Sequence, residues 1–197
     1  MSGAVRAMDI ARRANQYRNT RTSATLPGVD TPSVRERIEQ GKAVLTVLPL
    51  DADELPLIAW SGSALHLEHV AKQLERVASG DVDYLALRVD GVPVAKGGID
   101  YAVEPGAGTI WQVATHPELE GLGLATRLVR ACEERIAGRG LSPVRLSVEL
   151  DNTRARRLYE YLGYQVCGET PDEWEDQDAE GNRFIYRTTC AQMVKHV

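Results

Sequence analysis

Cysteine is scarce: Cys132, Cys167 and Cys190 are the three in 197 residues. An odd number with no C-x-x-C spacing argues against a disulfide framework and a thiolate metal clasp. Each lies in an apolar-patterned stretch, so each is expected to be a buried free thiol, and a reducing cytoplasm fits. No run approaches the roughly 20 apolar residues that span a bilayer, so no membrane segment is expected. No apolar stretch follows the N-terminus either, which argues against a secretory signal. The Arg-rich, acid-poor start (Arg6, Arg12, Arg13, Arg18, Arg21) leaves a mitochondrial presequence open. The four histidines lack metal-ligand spacing, and no metal is expected. Basic charge is short in the body of the chain. Residues 1–42 carry eight Lys or Arg against four acids, and the rest carries fifteen against twenty-four. Those balances of +4 and −9 make the net charge of −5. An acidic body argues against nucleic acid as the main partner, although the basic start could dock on an acidic one.

What is present is an ordinary globular composition, 43% hydrophobic and 26% charged, long enough to close a core without staples. Residues 1–42 show weak periodicity and the turn formers Pro27-Gly28 and Thr31-Pro32. They read as a basic extension, mobile or partly helical around 4–18, with a lid or dimer contact as the functional alternative. Residues 43–197 read as one domain. A strand at 43–50 ends at Pro49, and helices follow at 51–60 and 64–78. The second places Leu67, Val70, Leu74 and Val77 on one face. Strands at 84–89 and 92–99 flank Asp90-Gly91, a tight-hairpin signal, because that turn wants positive φ twice. A strand at 109–115 stops at His116-Pro117.

Beyond it, the helix 124–137 lines up Leu124, Leu128, Cys132 and Ile136. The strand 144–150 turns Val144, Leu146 and Val148 inward. The helix 152–162 has Asn152 as its N-cap and Gly163 as its stop. Strands at 164–168 and 183–192 close the chain around a polar loop. The order is mixed α+β with an early hairpin, so a doubly wound parallel sheet does not fit.

The chemistry begins at Glu120-Gly121-Leu122-Gly123-Leu124-Ala125-Thr126. A strand runs into a Gly-rich turn that opens an amphipathic helix. The unpaired N–H groups of a first helical turn, with the positive end of the dipole, attract anions. There is no G-K-[ST], so a Walker loop is excluded, and Thr126 stands where a dinucleotide fingerprint needs its third small residue. Two glycines before a helix are also compatible with a plain tight turn. A second stretch, Asn152, Ala155, Leu158, Tyr159, Gly163 and Tyr164, changes that balance.

Together the two stretches resemble the acyl-CoA motifs of the GNAT superfamily, Q/R-x-x-G-x-G/A and N-x-x-A-x-x-L-Y-x-x-x-G-F/Y, in family order. The resemblance implies a mixed, mostly antiparallel sheet of six to seven strands flanked by helices. It implies an N-acetyltransferase that moves acetyl from acetyl-CoA to a primary amine by direct attack in a ternary complex. A non-catalytic acyl-CoA-binding regulatory module of the same fold is the alternative. The N–H groups of Gly121, Leu122, Gly123, Leu124, Ala125 and Thr126 would hold the pyrophosphate. The strand edge Val113, Ala114 and Thr115 would pair with the pantetheine arm and supply an oxyanion donor. Glu120 departs from the usual Gln/Arg.

Tyr159 would be the general acid that protonates the CoA sulfur; from periodicity alone it reads equally as a core tyrosine. Asn152 would both cap its helix and touch the pantetheine. No carboxylate lies on the strand 109–115. Glu149 on the next strand, opposite in direction to Val148, is the candidate base. His66, Glu68 and His69 on the second helix lie where such enzymes shape the acceptor pocket, or are simply surface residues. His116 reads as a turn-packing residue. The loop Glu169–Glu180 holds seven acids and no base. It is either a solvated loop or an acidic rim that attracts a cationic amine, with Trp174 to stack on it. A homodimer is the expectation by family analogy.

Overall fold

A computed structural model describes residues 31–197. The expected helix at 4–18 lies outside the described residues. Seven strands form one sheet in the order β1-β2-β3-β4-β5-β7-β6. These are β1 Leu45–Pro49, β2 Val82–Val89, β3 Val92–Asp100, β4 Gly108–Thr115, β5 Val144–Glu149, β6 Gln165–Gln177 and β7 Arg183–Lys195. Every neighbouring pair is antiparallel except β4 and β5. The helices are α1 Thr31–Glu39, α2 Ala64–Val77, α3 Leu124–Gly138 and α4 Thr153–Tyr161, with a 3-10 stretch at Ala52–Ser61. This is the mixed, mostly antiparallel architecture that the sequence implies.

Alternation along β2 divides the core between the two faces of the sheet. Leu85 and Leu87 join Ile99, Ile110 and Val113 beneath α3, whose Leu124, Leu128, Cys132 and Ile136 are all buried. Tyr84 and Ala86 face the other way and pack with Ile58, Val70 and Trp111 under the 3-10 stretch and α2. The β2–β3 turn has the conformation its sequence demands, with φ of 50° at Asp90 and 89° at Gly91.

Four local expectations need correction. The segment before residue 43 is not all extension: α1 is helical, and its Val34 is buried in the main core. Helix α2 packs Val70, with Leu67 and Leu74 partly buried beside it, on the second core as its sequence face implies, but Leu65, His66 and Gln73 are also buried and Val77 is exposed. Polar groups on β2 and β3 draw His66 inward, so its burial does not follow hydrophobicity. The acidic segment is a strand rather than a loop, because β6 pairs with β7 from Gln165↔Val194 to Gln177↔Arg183. The backbone ladder overrides the poor strand preference of Asp, Glu and Pro. Cys167 is exposed on β6, while Cys132 and Cys190 are buried.

Candidate active site

The site begins where the sheet stops being regular. Strand β4 pairs with β5 only from Gly108↔Val144 to Ile110↔Leu146. Beyond Ile110 the two strands have no further paired positions. On its other side β4 bulges against β3: Trp111 pairs with Gly98, Ala114 pairs with Lys96, and Gln112 takes a φ of 52°. The N–H and C=O groups of Val113–Thr115 that face β5 are therefore outside the ladder.

A cleft of about 470 Å³ opens at this gap. Val113, Ala114 and Thr115 form one wall, and Asp151, Asn152 and Thr153 lie across from them. The floor is the glycine turn and first turn of α3, with Gly121, Gly123, Leu124, Ala125 and Thr126. Gly121 and Gly123 have φ of 86° and 74°, and a Cβ at either would meet no protein atom within 4 Å. Backbone conformation rather than crowding selects glycine here, and the space above the turn is open. Tyr159 and Leu158 of α4 complete the lining.

Helix α4 is fixed by its cap: the Ala155 N–H donates to Asn152 Oδ1 at 3.1 Å. Asn152 Nδ2 and Thr115 Oγ1 are buried in the cleft walls without a hydrogen-bond partner among the described residues. Buried polar groups are rarely left so, and a polar ligand lying along the gap would satisfy both. Tyr159 is 3% exposed and meets Tyr164 edge-on, with ring centroids 5.8 Å apart.

Of the residues singled out by the sequence, Leu122 is outside the cleft lining and packs on the main core. Glu149 is also outside it. It is buried on β5 with its side chain accepting a hydrogen bond from the Tyr186 hydroxyl at 3.0 Å. Along β6, Asp172 and Asp176 are buried, while Glu173 and Glu175 are exposed. Trp174 lies against Tyr186, with centroids 4.9 Å apart. Register places Glu149 and Tyr186 on one sheet face with Asp172, Trp174 and Asp176. His66 is buried, so a surface role is excluded for it, whereas Glu68 is exposed and pairs with Arg183. Burial, with Lys72 nearby, lowers the pKa of His69. His116 is buried beside Trp60 and accepts a hydrogen bond from the Glu118 N–H at 3.3 Å, the turn-packing arrangement.

Arg154, which the sequence reading passed over, also lines the cleft. It forms an ion pair with Glu120, the residue that departs from the family pattern. Its position two residues after the Asn152 cap was the available signal: that spacing starts the first turn of α4 at the cleft mouth.

The sequence profile of the acetyltransferase (GNAT) family matches residues 50–164. The chain belongs to the GNAT acetyltransferase family. Among individual relatives, a mycothiol acetyltransferase of Mycobacteroides abscessus is 41% identical over 64 residues, 32% of this chain and 22% of that protein. The chain thus spans about a fifth of the length of the curated relatives it matches. Solved structures share the GNAT fold. The PaiA N-acetyltransferase of Thermoplasma acidophilum, in complex with coenzyme A, aligns at a TM-score of 0.57 and 15% identity, over 78% of this chain and 99% of that one. The spermidine/spermine N-acetyltransferase of Vibrio cholerae aligns at 0.59 and 16%, over 77% and 92%.

Proposed function

We propose that this GNAT chain is an N-acetyltransferase that moves the acetyl group of acetyl-CoA to a cationic primary amine. One observation carries the reading: a single cleft joins the unpaired edge of β4, the glycine turn at the N-terminus of α3, and Asn152 and Tyr159. An elongated molecule with an anionic end and an amide-bearing arm matches those walls in that order. The N–H groups of Gly121–Thr126 would take the pyrophosphate. Val113–Thr115 would pair with the pantetheine amides as an added strand would. Arg154 is 66% exposed in its side chain, so its pair with Glu120 is weak and it is free to turn to the phosphates.

In the reaction a neutral amine attacks the thioester carbonyl, and a backbone N–H at Val113 or Ala114 takes the developing oxyanion. The C–S bond then breaks, and the thiolate receives the proton of the Tyr159 hydroxyl. Glu149 is the proposed acceptor of the amine proton. The amine would approach along the face that carries Asp172, Trp174, Asp176 and Tyr186. Buried acids there favour a cation over a neutral or anionic acceptor, which supports a polyamine, lysine or peptide N-terminus.

Thermal melting with acetyl-CoA, followed by a CoA-release assay over an amine panel, tests the reading. Acetyl-CoA should raise the melting temperature, because a ligand of the native state stabilises by mass action. Cationic amines should release CoA faster than neutral ones. Unchanged melting at saturating acetyl-CoA would sink the cosubstrate assignment. Binding without transfer to any amine would favour the regulatory module instead.

A further inference from the structure

A second polar constellation sits behind the cleft, on the α2 side of the sheet. Lys96 on β3 has 0% exposure. Its Nζ lies 2.9 Å from Nε2 of His66 and donates to the Tyr84 hydroxyl at 3.0 Å. The Tyr84 hydroxyl in turn donates to Gln112 Oε1 at 2.9 Å. One chain of hydrogen bonds thus links α2, β3, β2 and β4. No carboxylate pairs with Lys96 among the described residues, and burial drives its pKa well below the ordinary lysine range. Burial likewise drives the Tyr84 pKa well above the usual phenol value. An uncompensated buried ammonium is costly, and burial therefore disfavours the charged form of this amine.

Apolar packing alone does not explain this choice: a methionine would fill the same space without desolvating an amine, but it would leave His66 Nε2 and the Tyr84 hydroxyl short of a partner. What the chain of hydrogen bonds reaches is Gln112. This residue holds a left-handed φ of 52° at the β4 bulge, where Gln112 and Val113 together stand opposite Gly97. Such a conformation is strained in a non-glycine residue and persists only where its surroundings hold it. The residues that follow are Val113–Thr115, the cleft wall.

We propose that Lys96 is a positioning residue of the transfer reaction: through the Tyr84 hydroxyl it holds Gln112 at the bulge and so sets the strand edge Val113–Thr115. The role in turnover rests on the acetyltransferase reading above; the hold on the strand edge does not.

The test compares Lys96→Met, Tyr84→Phe and the double variant with the unaltered chain. Amide exchange of those N–H groups of Val113–Thr115 that face β3 should accelerate about tenfold in each single variant, with Ile110 unchanged, because only the bulged end is released. With a cationic amine acceptor, kcat should fall about tenfold while KM for acetyl-CoA stays within about threefold, since the phosphate turn is untouched. Lys96→Met and Tyr84→Phe should lower the melting temperature by similar modest amounts, since each leaves a buried polar partner unmade, whereas a merely structural lysine would lose kcat only in proportion to that drop. The double variant should lose no more than either single one, as expected of residues acting in one chain. Unchanged exchange at Val113–Thr115 in both single variants would overturn the proposal, as would kcat losses that track lost melting temperature. If the unaltered chain transfers no acetyl group, the acetyltransferase reading fails by itself and the exchange data still decide the hold on the strand edge.

Discussion

The two halves of β4 are built for different tasks. At Thr109 and Ile110 the strand is paired on both sides, with β3 through Asp100↔Thr109 and Ile99↔Ile110, and with β5 through Thr109↔Arg145 and Ile110↔Leu146. From Gln112 to Thr115 it is bulged, left-handed at one residue and unpaired toward β5. The first half spends its backbone groups on the sheet. The second leaves those that face β5 unpaired, where the proposed cosubstrate would lie, and the hydrogen-bonded side chains of Gln112, Tyr84 and Lys96 back it. Only Trp111 and Gln112 separate the structural stretch from the candidate binding edge at Val113–Thr115, and what divides them is a bulge, with no domain boundary or loop between.

The largest effect should come from filling the open turn that serves the second half. Gly123→Glu places a carboxylate where phosphates would lie and a side chain at a φ of 74°. Acetyl-CoA affinity measured by calorimetry should fall about 100-fold or more. Tyr159→Phe should come next. It keeps the edge-on ring contact, so binding should hold while kcat drops about 10- to 100-fold in the transfer assay. Unaltered kcat would return Tyr159 to the role of a core tyrosine.

Paired glycine substitutions then separate the halves directly. A Cβ at Gly108 would meet Ile136 at 2.5 Å, and one at Gly98 would meet the Trp111 ring at 2.8 Å. Each change to alanine should cost about 1–3 kcal/mol in urea unfolding. Only Gly98→Ala, which presses on the bulged half, should also weaken acetyl-CoA binding. Equal binding losses at both would erase the distinction.

The smallest effect belongs to a control in the 3-10 stretch, where Glu54 pairs with Arg88 of β2 rather than with β4. Burial raises the Glu54 pKa, but its hydrogen bonds with Arg88 and the Asp51 N–H and the Arg88 charge outweigh that and leave it lowered. A carboxylate with a depressed folded pKa stabilises the fold above its unfolded value of 4.5, and that stabilisation is lost as pH falls through the lower folded value. Glu54→Gln should therefore lower the urea midpoint at pH 7 and matter little at pH 3. Acetyl-CoA binding should not change.

Much of this arrangement was legible in the sequence because it rests on local rules. Asp90-Gly91, the glycines at 121 and 123, the Asn152 cap and the Gly163 stop each satisfy a backbone demand within a few residues. The mixed α+β class followed from the order of elements, and the mostly antiparallel sheet of six to seven strands from the GNAT resemblance. The parts that escaped are set by distant partners. Strand β6 is acidic and contains Pro171, so only its ladder with β7 makes it a strand. His66 and Lys96 are polar residues buried by each other and by Tyr84, and no periodicity announces such a group. The short helix α1 is tied to the core by Val34, too little to produce a pattern. The cleft's glycines were readable. The pairing of Glu120 with Arg154 was not, because 34 residues separate the partners.

Strand β6 has one more consequence. It is the outermost strand of the sheet, thirteen residues long, with one side of its backbone facing no neighbouring strand among the described residues. Such an edge is a template on which further chains can stack, the first step toward insoluble aggregates. Its acids oppose that growth. A second copy laid along the strand would bring Glu169, Glu173 and Glu175 against like charges, the last two only partly offset by their exposed pairs with Arg187 and Arg183, so crowding favours dispersal over stacking. Concentrated solutions should therefore cloud first under acid, when protonation silences that repulsion.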